Sequence, residues 1–209
     1  MKNLLHLMLI FLLIFNSCKK EDNKKTVTSG VYDATFNFHE FSPPFKVNLK
    51  KDTVNHYSFG ADSIDFNLDR NFDLVISQRL TDKSVSRIDQ NNFPYCRLQL
   101  KNGLEVATRK ETYPIGLGDY SSIDWVDSLH YNTRIDNISE WSATNTSRFM
   151  WAVAPTSFLN TNGCWYYFTN VEMYIGLRMK TDSGYKFGWM KVNEISRENI
   201  FFFSYAMEK

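Results

Sequence analysis

Between Asp65 and Asp73 every second residue carries an oxygen-bearing side chain: Asp65, Asn67, Asp69, Asn71 and Asp73 alternate with Phe66, Leu68, Arg70 and Phe72. Hard Ca²⁺ takes about six to eight oxygen ligands, and a short loop of alternating carboxylates and carboxamides can wrap them around one ion. The same residues also suit a polar turn between two strands, Ile64 to Asp69 and Phe72 to Ile76, because Asn and Asp tolerate tight turns. A second source of chemistry is the acids Asp119, Asp124, Asp127, Asp136 and Glu140. Glycoside hydrolysis needs only two carboxyl groups at a set separation, while the plain alternative is five solvated side chains. His39, His56 and His130 are scattered, there is no Gly-x-Ser-x-Gly elbow, and Gly116-Leu117-Gly118 alone is a poor phosphate cradle. No catalytic motif emerges.

Cysteines and aromatic rings allow two readings each. In an oxidising compartment Cys96 and Cys164 could be bridged, but both lie in apolar strand-like runs that would equally bury two thiols. Zinc finds no paired Cys/His spacing. Trp125 and Trp141 sit in polar surroundings and are the rings expected at the surface, where they could stack on sugars. Trp165-Tyr166-Tyr167-Phe168 and Phe201-Phe202-Phe203 put rings on both faces of a strand, as core packing requires.

The Asp65–Asp73 spacing resembles the calcium loop of integrin-type FG-GAP repeats and related Asp-x-Asn-x-Asp loops. That resemblance implies Asp65, Asn67, Asp69 and Asp73 as side-chain ligands and the Asn71 carbonyl as a further one, and so Ca²⁺ as the expected ion. It covers this single loop, with Leu68 and Arg70 standing where the family carries small residues or glycine.

The N-terminus reads as an address. Lys2 is followed by an apolar run, Leu4 to Phe15, broken only by His6. At about 1.5 Å per residue this run covers roughly 18 Å, short of the ~30 Å hydrocarbon core. It therefore suits a signal peptide over residues 1–17 rather than a spanning helix. Asn16-Ser17-Cys18 then resembles the lipobox of bacterial lipoproteins. The resemblance implies cleavage before Cys18, diacylation of its sulfur and acylation of its amine, and two or three chains anchor stably. Lys19 to Gly30 is charged and nearly free of large apolar groups, so residues 18–29 read as a flexible tether. A charged stretch with acids after the cysteine is similar to the export signal of surface-exposed Gram-negative lipoproteins. Outer membrane is the expected location, with the cell surface and the periplasmic face both open. Asp52-Thr53-Val54, Asp62-Ser63-Ile64 and Asp127-Ser128-Leu129 resemble bacterial O-glycosylation sites, a further hint of export.

The elements that must position these groups are strands. Of 209 residues 43% are hydrophobic and 16% aromatic, enough for one domain with a substantial core. Twenty-four Lys+Arg against 23 Asp+Glu leaves no basic excess for nucleic acid. Period-two runs recur: Val31 to Phe38, Phe45 to Lys50 and Tyr95 to Leu100. Asn102-Gly103 predicts a hairpin from the last of these into Leu104 to Thr108, and Thr181 to Gly184 a second between Tyr174–Lys180 and Tyr185–Val192. Short helical turns are expected at Ser121–Leu129 and Ile135–Trp141, within long polar loops spanning 110–147. The block Tyr174 to Met207 loosely resembles the closing strands of small secreted bacterial β-sandwich proteins. The expected fold is all-β, an antiparallel β-sandwich, jelly-roll-like or similar, forming a single domain over 30–209. The expected function is that of a lipid-anchored outer-membrane accessory protein that binds or supports without catalysis, its partners being the membrane and a glycan or envelope protein. The alternatives are a surface carbohydrate-binding module or a glycan-processing enzyme.

Overall fold

The computed structural model describes residues 26–81, 93–114, 120–136, 138, 140–143, 145–152, 165, 171–196 and 199–209. Every regular element among them is a strand: β1 Phe36–Phe45, β2 Lys50–Asp52, β3 Tyr57–Ile64, β4 Leu74–Thr81, β5 Tyr95–Leu100, β6 Leu104–Val106, β7 Thr108–Pro114, β8 Tyr120–Val126, β9 Ser147–Ala152, β10 Glu172–Thr181, β11 Gly184–Ser196 and β12 Asn199–Glu208. They build a sandwich of a five-stranded sheet, β1-β12-β11-β10-β6, on a seven-stranded sheet, β2-β3-β4-β5-β9-β8-β7. Pairing is antiparallel throughout except where β8 runs parallel to β9. No helix among the described residues is long and apolar enough to cross a membrane.

Alternation explains the core. Leu74 and Ile76 on β4, Leu98 and Leu100 on β5, and Met150 on β9 face Met173, Ile175 and Leu177 on β10, Met190 and Val192 on β11, and Phe202 on β12, all buried in one cluster. Their intervening neighbours face outward, as period two requires. The Thr181–Gly184 turn joins β10 to β11 as predicted, in unbroken register from Glu172↔Asn193 to Thr181↔Gly184.

Asn102-Gly103 behaves differently. Both residues adopt positive φ, 51° and 78°, and the Leu104 amide donates to the Lys101 carbonyl at 2.9 Å, so a tight turn forms. Yet β6 pairs with β10, not β5. The turn carries the chain from one sheet to the other, because Leu98, Leu100, Leu104 and Val106 must all face the same interior.

A second, smaller core covers the outer face of the five-stranded sheet. Phe36, Tyr174, Trp189 and Ala206 from that sheet pack under Val27, Leu129 and Ile135. The Ile135 amide donates to the Val27 carbonyl at 2.7 Å, and Leu129 and Tyr174 exchange two backbone bonds at 2.8 and 2.9 Å. Residues 27–29, read from sequence as tether, therefore belong to the body: Val27 is 1% and Ser29 0% exposed. The stretch 110–147, read as long loops, holds most of the β7–β8 hairpin. The helical turn expected at Ser121–Leu129 is replaced by β8, while the stretch expected to turn at Ile135–Trp141 lies partly outside the described residues and keeps one i to i+3 bond, from the Ile138 amide to the Ile135 carbonyl. Ile123, Trp125 and Ile135 need a flat apolar surface to cover, and strand pairing supplies it.

Candidate functional site

At one end of the sandwich, β3 and β4 pair directly from Tyr57↔Thr81 to Ile64↔Leu74, which leaves residues 65–73 as the closing loop. Its alternating oxygens serve the loop itself. Asp65 accepts the amides of Leu68 and Arg70, each at 2.7 Å, through its two carboxylate oxygens. Asn67 Oδ1 accepts the Asp69 amide at 3.0 Å, and Asp69 Oδ1 accepts the Asn71 amide at 2.7 Å. Asn67 Nδ2 also donates to Asp69 Oδ2 at 3.2 Å. These are successive Asx turns, and they hold Leu68 and Arg70 at positive φ, 61° and 74°.

Asp73 closes the ring from below. It is fully buried, its Oδ2 accepts the Phe66 amide at 2.9 Å, and Asn102 Nδ2 donates to its Oδ1 at 3.4 Å and to the Phe72 carbonyl at 3.1 Å. Burial pushes the Asp73 carboxyl above its ordinary value, with the charges of Asp65 and Asp69 adding to the rise. The Phe66 amide and Asn102 pull it the other way. Phe66 drops into the core and meets Tyr205 edge-on, ring centroids 4.8 Å apart.

The expected calcium ligands Asp65, Asn67, Asp69, Asn71 and Asp73 thus share a loop but do not converge on a point. Among the described residues no group of three or more His, Cys, Asp or Glu is placed to hold a metal ion. In this arrangement the Asp65 and Asp69 carboxylates accept backbone N–H groups of their own loop. The same spacing served the turn.

What the loop does create is a rim. Between it and the five-stranded sheet lies a hollow of about 310 Å³, floored by Phe66, Met179 and Met207 and edged by Asn37, Asn67, Asp69, Asn102, Lys180, Lys186 and Glu208. A second hollow of about 300 Å³ adjoins it, lined by Phe38, His39, Leu68, Tyr205 and Lys209, and the two share Asn37 and Phe66. Sequence reasoning singled out Asn67 and Asp69 but missed Asn37, Asn102, Lys180, Lys186 and Glu208. One signal was available: the three predicted turns, at 65–73, 102–103 and 181–184, each supply a residue to the first hollow's lining.

The other candidates separate. Trp125 is 1% exposed, packed in the main core with its ring 6.3 Å from Phe149, so it has no face for a sugar. Its polar neighbours Asp124 and Asp127 misled, since Asp124 points to the opposite side of β8. Trp141 is half-buried; its indole N–H donates to the Ile138 carbonyl at 3.0 Å, and the Arg178 guanidinium lies 4.5 Å over its ring. Glu105 in turn accepts Arg178 Nε at 2.6 Å, and Tyr185 covers the guanidinium's other side at 4.3 Å. Trp141's face is therefore taken.

Among the acids, Asp136 pairs with Arg134 at 2.9 Å and Asp124 lies 3.9 Å from Arg148. Asp127 is half-buried, which raises its carboxyl, and Glu140 and Glu111 are near enough to raise it further while Arg109 lowers it. Asp119 lies outside the described residues, as do Cys18 and Cys164. Cys96 is buried with its sulfur 3.6 Å from that of Met150. Comparison with protein families, curated proteins and solved structures finds no match to this chain.

Proposed function

We propose that the chain is a lipid-anchored outer-membrane lipoprotein whose sandwich acts as a non-catalytic binding protein, presenting its 65–73 end to a ligand. The anchor reading rests on the leader and Cys18; the binding reading rests on the double hollow, where polar groups of both signs gather around the largely buried Phe66, Met179 and Met207. Pockets of this make-up, about 300 Å³ or more with a few convergent polar groups, are the usual form of a small-ligand site. Because Val27 already belongs to the body, only Lys19 to Thr26 would separate the acylated residue from it. At no more than ~3.5 Å per residue, that linker holds the body within about 30 Å of the bilayer.

Membrane fractionation with protease shaving of intact cells tests this reading. The wild-type chain is expected in the membrane fraction and Cys18→Ser in the soluble one; equal membrane retention of both would overturn the anchor. Shaving then assigns the face. A glycan-processing enzyme is the second reading, favoured by the neighbouring carboxyls of Asp127 and Glu140. It predicts polysaccharide hydrolysis that Asp127→Asn abolishes.

A further inference from the structure

We infer that the aromatic surface of Val31, Tyr32, Phe38 and Tyr131 lies against the phospholipid headgroups of the leaflet that holds the Cys18 acyl chains. This rests on the anchor reading and goes beyond it, because it gives the body a fixed face toward the bilayer. Of the ten exposed large hydrophobic side chains among the described residues, these four gather in one place. Tyr32 stacks on Phe38 with ring centroids 4.0 Å apart, and the pair leans on Trp189 at 6.1 and 6.2 Å. Trp189 meets Tyr174 edge-on at 5.5 Å, and Tyr174 meets Tyr131 at 6.3 Å. The rings form a continuous ribbon over the outer face of the five-stranded sheet. Trp189 and Tyr174 are its buried base, and Tyr32, Phe38 and Tyr131 its exposed surface.

The ribbon is built into the point where the chain enters the body. The strap that carries Leu129, Tyr131 and Ile135 is laced to the body's first residues. The Ser29 amide donates to the Thr133 carbonyl and the Asn132 amide to the Ser29 carbonyl, each at 2.9 Å. Tyr131 rests directly on Gly30, where a Cβ would meet its ring at 2.5 Å. The Trp189 indole N–H donates to the Val31 carbonyl at 3.0 Å. The exposed rings are therefore held in place before any contact is made, which lowers the ordering cost of docking.

Chain length selects the occupant. Val27 lies nine residues after Cys18, so at ~3.5 Å per residue the acylated end reaches no further than about 30 Å from the body. A surface tied that close to a bilayer meets it at an effective concentration in the ~millimolar range, and a weak affinity then suffices. The ring chemistry agrees. Tyrosine joins an apolar body to a wet hydroxyl, the combination found in membrane-interface belts, and a contiguous exposed apolar surface supplies a second membrane signal beside the acyl chains. Around the rings Lys191 pairs with Glu172 and Arg134 with Asp136, at 2.8 and 2.9 Å, and Lys209 offsets Asp33. In the tether Lys19, Lys20, Lys24 and Lys25 outnumber Glu21 and Asp22, which favours an anionic leaflet. Phe38 also lines the second hollow, which therefore sits at the border of this surface.

Photocrosslinking in vesicles tests this. The full-length acylated protein is reconstituted in phosphatidylethanolamine–phosphatidylglycerol vesicles that carry a phospholipid with a diazirine in its headgroup, and the modified peptides are mapped by mass spectrometry. Lipid adducts are expected at residues 31–38 and at Tyr131, besides the tether. Phe59 is the internal control: it is 40% exposed, as Phe38 is at 38%, but it lies on β3 in the seven-stranded sheet. The double variant Tyr32→Ser, Tyr131→Ser is expected to lose most adducts at Val31 and Phe38 and to keep those on the tether, with a melting curve confirming the fold. Adducts confined to the tether, as frequent at Phe59 as at Phe38, or kept in full by the folded double variant overturn the inference while leaving the anchor in place. So does a surface that a protein–protein crosslinker joins to a second copy instead of lipid. The mass of the Cys18 peptide from the same digest reports acylation; an unmodified Cys18 overturns the anchor, and this inference with it.

Discussion

The carboxylate of Asp73 accepts the amide of Phe66 at 2.9 Å, reaching seven residues back along the chain. That bond ties the loop to its own base, and it places Phe66 where it can serve as the floor of both hollows. Removing the acceptor leaves a buried N–H without a partner. Asp73→Ala is expected to lower the unfolding free energy by about 1–3 kcal/mol, measured by chemical denaturation, and to weaken any ligand held at the loop end.

The same residue gives a pH signature. Its folded carboxyl lies above the ordinary value of 3.8, chiefly through burial. The folded state therefore keeps its proton over a range in which the unfolded chain releases it. The stability this contributes is complete below the ordinary value and fades as pH rises through the raised one. Asp73→Asn cannot titrate. Wild-type stability measured against that variant should fall with rising pH across this window; a rise would mean that the Phe66 and Asn102 donors outweigh burial.

Leu68 is 75% exposed and held at φ 61°. A branched side chain in the left-handed region costs about 1–2 kcal/mol, a cost glycine avoids. Leu68→Gly should then stabilise the protein by about 1 kcal/mol, less what glycine loses through its freer unfolded chain. Thermal unfolding reads the sign directly. A lower melting temperature would show that Leu68 closes the second hollow by contact.

Calcium supplies a further check. With the loop's carboxylates engaged by amides, millimolar Ca²⁺ and EDTA should leave the melting temperature of the purified protein unmoved. A rise with Ca²⁺ that EDTA reverses would show that the loop binds the ion.

Ile135 is fully buried in the small outer core, against Val27 and Trp189. Ile135→Ala is expected to cost about 2–5 kcal/mol. Limited proteolysis should then cut first near residues 26–35, since the strap that Ile135 anchors is what holds Val27 down. Unchanged protection there would place the N-terminal hold elsewhere.

The strands were legible because alternation is a local signal. Tyr95 to Leu100 shows it, and the Thr181–Gly184 turn needed only its own residues to be recognised; Phe45 to Lys50 alternates just as well, yet residues 46–49 only link the end of β1 to the start of β2. The route through Asn102-Gly103 was not legible. Its dihedral preferences are local, but the choice between pairing with β5 and crossing to β10 depends on which surface Leu104 and Val106 must cover. Trp125 failed for a related reason: neighbours in sequence point to opposite faces of a strand, so Asp124 says little about its environment. At the candidate site, the alternating oxygens correctly marked residues 65–73 as a structured loop. Whether they turn toward an ion or toward amides is decided by φ at Leu68 and Arg70. The hollow itself joins residues from Asn37 to Glu208, a relation no spacing reveals.

β1 and β12 lie side by side, from Phe36↔Glu208 onward, so the first and last strands of the domain are zipped together. The five-stranded sheet therefore cannot be completed while the C-terminal residues are still missing. A chain made and exported N-terminus first would carry β1 as an unpaired edge until its final residues emerge, and contacts of such long sequence separation form slowly. Completion of this sheet thus waits for β12. The arrangement makes loss of β12 a loss of β1's hydrogen-bonded neighbour as well.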